Sequence, residues 1–185
     1  MSTNRFIEQR ELLTSVVTTL PRELLETNAA PLMGIVSELQ ASSVIEIGVV
    51  QAVTRVDAED PMAVKRQREI LEDYRDRRLF DRDRTHCSNI NRIATQIRPS
   101  ESPAASELDA VLTPLRHADI DLLDDIEGIL DASIAAITEM DDSRRVDDAR
   151  ARQEQFAKDM RPTIERMKSN LSRLNDLTGK LIDLM

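Results

Sequence analysis

The chain has 185 residues, 41% hydrophobic, 32% charged and 2% aromatic, with four glycines and a net charge of −9. That length can bury a core without disulfides or metals, and a Leu, Ile, Val, Ala and Met inventory poor in aromatics and glycine belongs to helical bundles rather than sandwiches. The negative charge disfavours nonspecific attraction to nucleic acid or anionic lipid. No uninterrupted apolar run of about 18 residues exists, so no membrane span is expected.

The opening residues, MSTNRFIEQRELL, lack the charged and apolar zones of a signal peptide, and Cys87 is the single cysteine. Both features point to a cytoplasmic protein without internal disulfides. The expected fold is all-α, a single domain forming an elongated antiparallel bundle of four to five long helices.

A first helix over 4–20 places Leu13, Val16, Val17 and Leu20 on the face of Phe6. Pro21 ends or kinks it, and 22–26 reads as a short helical extension. Asn28-Ala29-Ala30-Pro31 reads as a joint, with Pro31 in the first turn of the next helix. That second helix carries Leu32, Ile35, Val36, Leu39, Val49, Val50, Val53 and Val56. Its β-branched middle, 44–50, competes as a strand, but a lone strand would find no partner in this sequence.

Asp60-Pro61 pairs a capping carboxylate with a proline at the first helical position. A third helix then runs to about Ile97, stopped by Arg98-Pro99. After a turn at 100–103, Ser106 with Asp109 resembles a capping box for a fourth helix, which presents Leu108, Val111, Leu115, Leu122 and the isoleucines up to Ile137. Asp141-Asp142-Ser143 could cap a fifth helix, the alternative being one continuous rod from Ser106 onward. Over 143–185 a narrow apolar seam recurs in steps of three and four, with polar Gln153 and Thr178 in two of its gaps. Pro114 and Pro162 should each kink or interrupt their helix. The run Ser88-Asn89-Ile90-Asn91-Arg92-Ile93 resembles Ser169-Asn170-Leu171-Ser172-Arg173-Leu174, which suggests a duplicated helical hairpin, 31–98 and 106–185.

Three groups of residues could carry chemistry or contact. His86 with Asp83 and His117 with Asp121 stand at matching distances from the 100–103 turn, so a hairpin would bring two His and two Asp level, a donor set suited to a divalent metal. The inward face of helix three leaves His86 beside the seam, however, and solvated histidines are the reading preferred here. Neither a cofactor nor a catalytic residue is expected. The Glu-x-x-His element of di-iron bundles is missing, Cys87 and His86 point about 100° apart on a helix, and Thr178-Gly179-Lys180 lacks the spacing of a phosphate loop.

The second group is the charge-dense run 72–84, where the apolar stripe nearly disappears; from Lys65 to Arg84 there are eight basic and six acidic residues. It reads either as a solvated face laced by Asp–Arg pairs or as a protein contact surface built on Tyr74, Arg77, Arg78 and Phe80. The third is Glu46, a carboxylate close to an apolar stripe that must be paired or reach water.

The functional expectation is a non-enzymatic bundle working through protein–protein contacts as a scaffold, adaptor or assembly subunit. The alternatives are a sensor binding a small ligand between helices and a small acidic secretion-type chaperone, the latter an analogy of class only. The partner is another protein or a second copy, with a homodimer favoured slightly. Leu177, Leu181, Ile182 and Leu184 make the C-terminal turns wider than one neighbouring helix needs. The competing reading is that Phe6, Leu13 and Val17 of the first helix cover that face within one chain.

Overall fold

The computed structural model describes residues 5–97, 103–116 and 121–185. Among these the protein is all-α, with no strand: α1 (Arg5–Thr19), α2 (Arg22–Thr54), α3 (Pro61–Asp73), α4 (Phe80–Ala94), α5 (Pro103–Arg116), α6 (Asp121–Asp141) and α7 (Val146–Ile182). Residues 44–50 are helical, because their β-branched side chains gain more from packing on a helix than from an edge without a partner.

The two long helices, α2 and α7, pack antiparallel and organise the rest. Their register is fixed at one end by Gln153, which donates to the carbonyls of Val53 and Val56, and by an ion pair of Arg150 with Glu59. At the other end Gln40 donates to Asn175 and Thr178. The two polar gaps in the C-terminal seam are therefore the points where α7 is bonded to α2.

Two apolar cores share these helices. One gathers Leu13 and Val17 of α1, Leu32, Ile35 and Leu39 of α2, Ile90 and Ala94 of α4, Leu108 and Leu112 of α5, and Leu174, Leu177 and Leu181 of α7. The other gathers Ile47, Val50 and Val53 of α2, Val64 and Leu71 of α3, Leu130, Ile134 and Ile137 of α6, and Phe156 and Met167 of α7. Between them lies a buried polar level: Ser42, Ser43 and Glu46 on α2, Asn170 on α7 and Thr14 on α1. Thr14 donates to Asn170 at 3.3 Å, and Ser43 donates to the Leu39 carbonyl at 2.8 Å. Hydroxyls that return their proton to the helix can be buried at little cost.

Several expected boundaries move. There is no joint at Asn28–Pro31: α2 runs unbroken from Arg22 with Pro31 inside it. Leu24, Asn28, Ala29 and Leu32 are all buried, and that packing outweighs the roughly 3 kcal/mol that an interior proline costs a helix. Pro162 likewise stays inside α7; it is exposed, so water can satisfy the carbonyl it leaves without a donor. Asp60 caps α3 as expected, accepting from the Met62 N–H at 2.9 Å.

The expected third helix is divided by a π-helical segment, Tyr74–Leu79, into α3 and α4. A π turn adds a residue to the helical register and rotates the apolar stripe, which explains why the stripe fades over this run. The expected fourth helix is seen as α5 and α6, and residues 117–120 between them lie outside the described residues. Pro103, not the Ser106–Asp109 box, opens α5. A turn does separate α6 from α7. Its acids do not cap α7, because Asp141 is held by Arg68 at 2.8 Å and Ser143 donates back to the Glu139 carbonyl.

Candidate interaction surface

Helix α3 packs chiefly on α6 and touches α2 little. Arg68 of α3 reaches Asp141 at 2.8 Å, and Arg75, in the π segment that follows, comes within 3.8 Å of Asp131, so both are tied to α6. Arg75 also donates to Asp76, and that hydrogen bond pushes its guanidinium above the ordinary value, so it remains a cation. Only Val64 and Leu71 of α3 are buried.

The opposite side of α3 carries Met62, Arg66, Ile70 and Tyr74 in steps of four, one row on a helix. Met62 is 66% exposed and Ile70 52%. Tyr74 is half-buried and lays its ring against the second core. Arg66, Glu69, Ile70, Asp73 and Tyr74 line an open depression of about 360 Å³. Arg77 follows in the π segment, exposed and paired with Asp73 at 2.9 Å. The acids and arginines of the run pair along the surface, and Met62 and Ile70 stand in water beside them.

Of the contact residues expected here, Tyr74 and Arg77 stand beside one another at the end of this row, while the side chains of Arg78 and Phe80 lie outside the described residues. Sequence reasoning missed Met62 and Ile70, although their four-residue steps to Arg66 and Tyr74 were there to be read.

The metal candidates are not brought together by anything described. The side chains of Asp83, His86 and Asp121, and the whole of His117, lie outside the described residues. Among those described, no three His, Cys, Asp or Glu side chains converge. Glu46 is 1% exposed and accepts from Ser42 at 3.3 Å, with a further interaction besides. It is a structural carboxylate in the level between the cores.

The C-terminal turns are wide because they serve the core. Leu177 and Leu181, expected at an interface, are buried with Leu13 and Val17 of α1. Leu184 is half-buried against the same core, and of the four only Ile182, at 60%, stays mainly in water. Arg166, bonded twice by Glu11 at 2.7 and 2.6 Å, ties α1 along α7 and is raised above its ordinary value by that hydrogen bond.

Two other depressions are open surface features. Glu139, Asp142, Asp148 and Arg152 help line one of about 600 Å³ between α6 and α7. Thr14, Thr18, Arg173 and Lys180 help line one of about 300 Å³ between α1 and α7. By length and composition α2 contains an 18-residue window apolar enough to cross a membrane, and 44% of that window is buried in the fold. No family model, curated protein or solved structure matches the chain.

Proposed function

We propose that this chain is a non-enzymatic contact protein, a scaffold, adaptor or assembly subunit, and that the outer row of α3 is where a protein partner docks. The observation carrying this reading is the exposed Met62, Arg66 and Ile70, running up to half-buried Tyr74, on a helix packed chiefly against α6. Solvating Met and Ile there gains nothing for the fold, whereas Arg, Tyr and a large apolar side chain together make a typical binding hot spot. The π segment at the end of the row adds weight, since such segments recur at functional sites. In this reading the bundle is elongated and antiparallel: α7 has 37 residues and runs ~55 Å at about 1.5 Å per residue.

Affinity capture from the native source tests it. The parent chain should retain a discrete protein that a Met62→Glu/Ile70→Glu variant of unchanged helicity and melting temperature loses. Equal capture by both would remove the row from the account.

A further inference from the structure

We propose that the outward face of α2 is a self-association surface, on which a second copy packs its own α2 antiparallel about a two-fold axis near Val44 and Ile45. Helix α2 is flanked on one side by α7, through Gln40 with Asn175 and Thr178. On the other it is flanked by α4, through Asn89 donating to Glu38 at 2.9 Å and Ile93 packing on Gly34. Between these flanks the helix turns Ala41, Val44 and Gly48 to water, with Val44 57% exposed. Half-buried Ile45, Val49 and Ala52 widen the band toward one flank.

The band is uncharged in a chain that is 32% charged. Over 27–54 the ionisable residues are Glu38 and Glu46; Glu46 is buried, and Glu38 sits at the band's edge. Over 101–142, by contrast, twelve acidic residues accompany a single basic one, and a copy would meet repulsion there. At the α2 band two copies meet without removing an ion from water.

At Gly34 a Cβ would stand 3.1 Å from Ile93, so α4 packs closely on that side of α2. A Cβ at Gly48 would meet nothing within 4 Å. Gly128 and Gly179 have such open space too; on the α2 band Gly48 leaves room for a second helix to approach closely.

Charge selects the orientation and the partner. Beyond the band α2 ends at exposed Arg55, which makes no ion pair among the described residues. In the antiparallel arrangement Ala41 of one copy comes level with Gly48 of the other, and Arg55 falls about one helical turn from the other copy's Glu38. A parallel pair would oppose Glu38 with Glu38 and Arg55 with Arg55. The two-fold antiparallel pair therefore joins opposite charges twice and aligns the helix dipoles favourably.

Sedimentation velocity of the full chain tests this. The parent should form a dimer at micromolar concentration. Gly48→Glu, at a site with open space, should keep full helicity and sediment as a monomer. Arg55→Glu should weaken the dimer by about tenfold, and adding Glu38→Lys should restore it. In a Cys87→Ser background, Val44→Cys should give a disulfide-linked dimer on mild oxidation, whereas Ala151→Cys on α7 should not. A parent chain that stays monomeric, or a Gly48→Glu protein that dimerises equally well, overturns the proposal. So does flotation of a monomeric parent with phosphatidylcholine vesicles that Gly48→Glu abolishes, which would give the band to a lipid surface.

Discussion

Gln153 donates its side-chain N–H to the carbonyl of Val53 at 2.8 Å, and the same amide reaches the Val56 carbonyl at 2.8 Å. The end of α2 leaves carbonyls without helical donors, and an amide from α7 satisfies them while setting the register of the two long helices. Gln153→Ala should therefore destabilise the chain by about 1–2 kcal/mol in urea or guanidinium unfolding. Gln153→Glu should cost more, since a carboxylate cannot donate and adds negative charge at a helix C-terminus.

The C-terminal turns give a second expectation. A chain ending at Thr178 loses Leu181, which is wholly buried with Leu13 and Val17. The loss should cost about 2–3 kcal/mol in folding, read as a lowered melting temperature. If the terminus were instead an interface, truncation would change the sedimentation coefficient and leave the stability of the monomer untouched.

Core substitutions should separate buried from exposed positions on neighbouring elements. Ile137→Ala, at a fully buried site on α6, should cost about 2–5 kcal/mol. Ile70→Ala, with half its surface in water, should cost under about 1 kcal/mol. The pair is measured by equilibrium unfolding monitored by circular dichroism.

The Glu11–Arg166 pair should contribute little. Both side chains keep substantial exposure, so Glu11→Gln should cost no more than about 1 kcal/mol, and less in high salt. The arginine's value is raised by its partner. Its contribution is thus complete below the unfolded value and lost only as pH rises through the folded one, far into alkali. Between about pH 5 and pH 9 the arginine should add no pH dependence to the melting temperature.

Helical class, the Asp60-Pro61 start of α3 and the long C-terminal helix were all legible, because each rests on local chemistry: a cap, a proline at the first turn, a seam with period near 3.6. What escaped was set by tertiary packing. Pro31 looks like a joint until Leu24, Asn28 and Leu32 are seen to bury one continuous face. The π segment at Tyr74–Leu79 left only a faded stripe, since its charged residues carry no apolar period to read. Gln153 and Thr178 looked like gaps in a seam because a hydrogen bond to another helix has no sequence pattern. Leu177 and Leu181 looked like excess apolar surface because the partner that covers them, α1, lies more than a hundred residues earlier in the chain.

The central claim is that the outer row of α3 meets another protein, and site-specific photo-cross-linking tests it most directly. A photoreactive residue replacing Ile70, in the native source, should trap one discrete protein in a saturable manner, and the same group replacing Lys158 on α7 should not. Trapping from both positions alike, or from neither, would contradict a partner surface on α3.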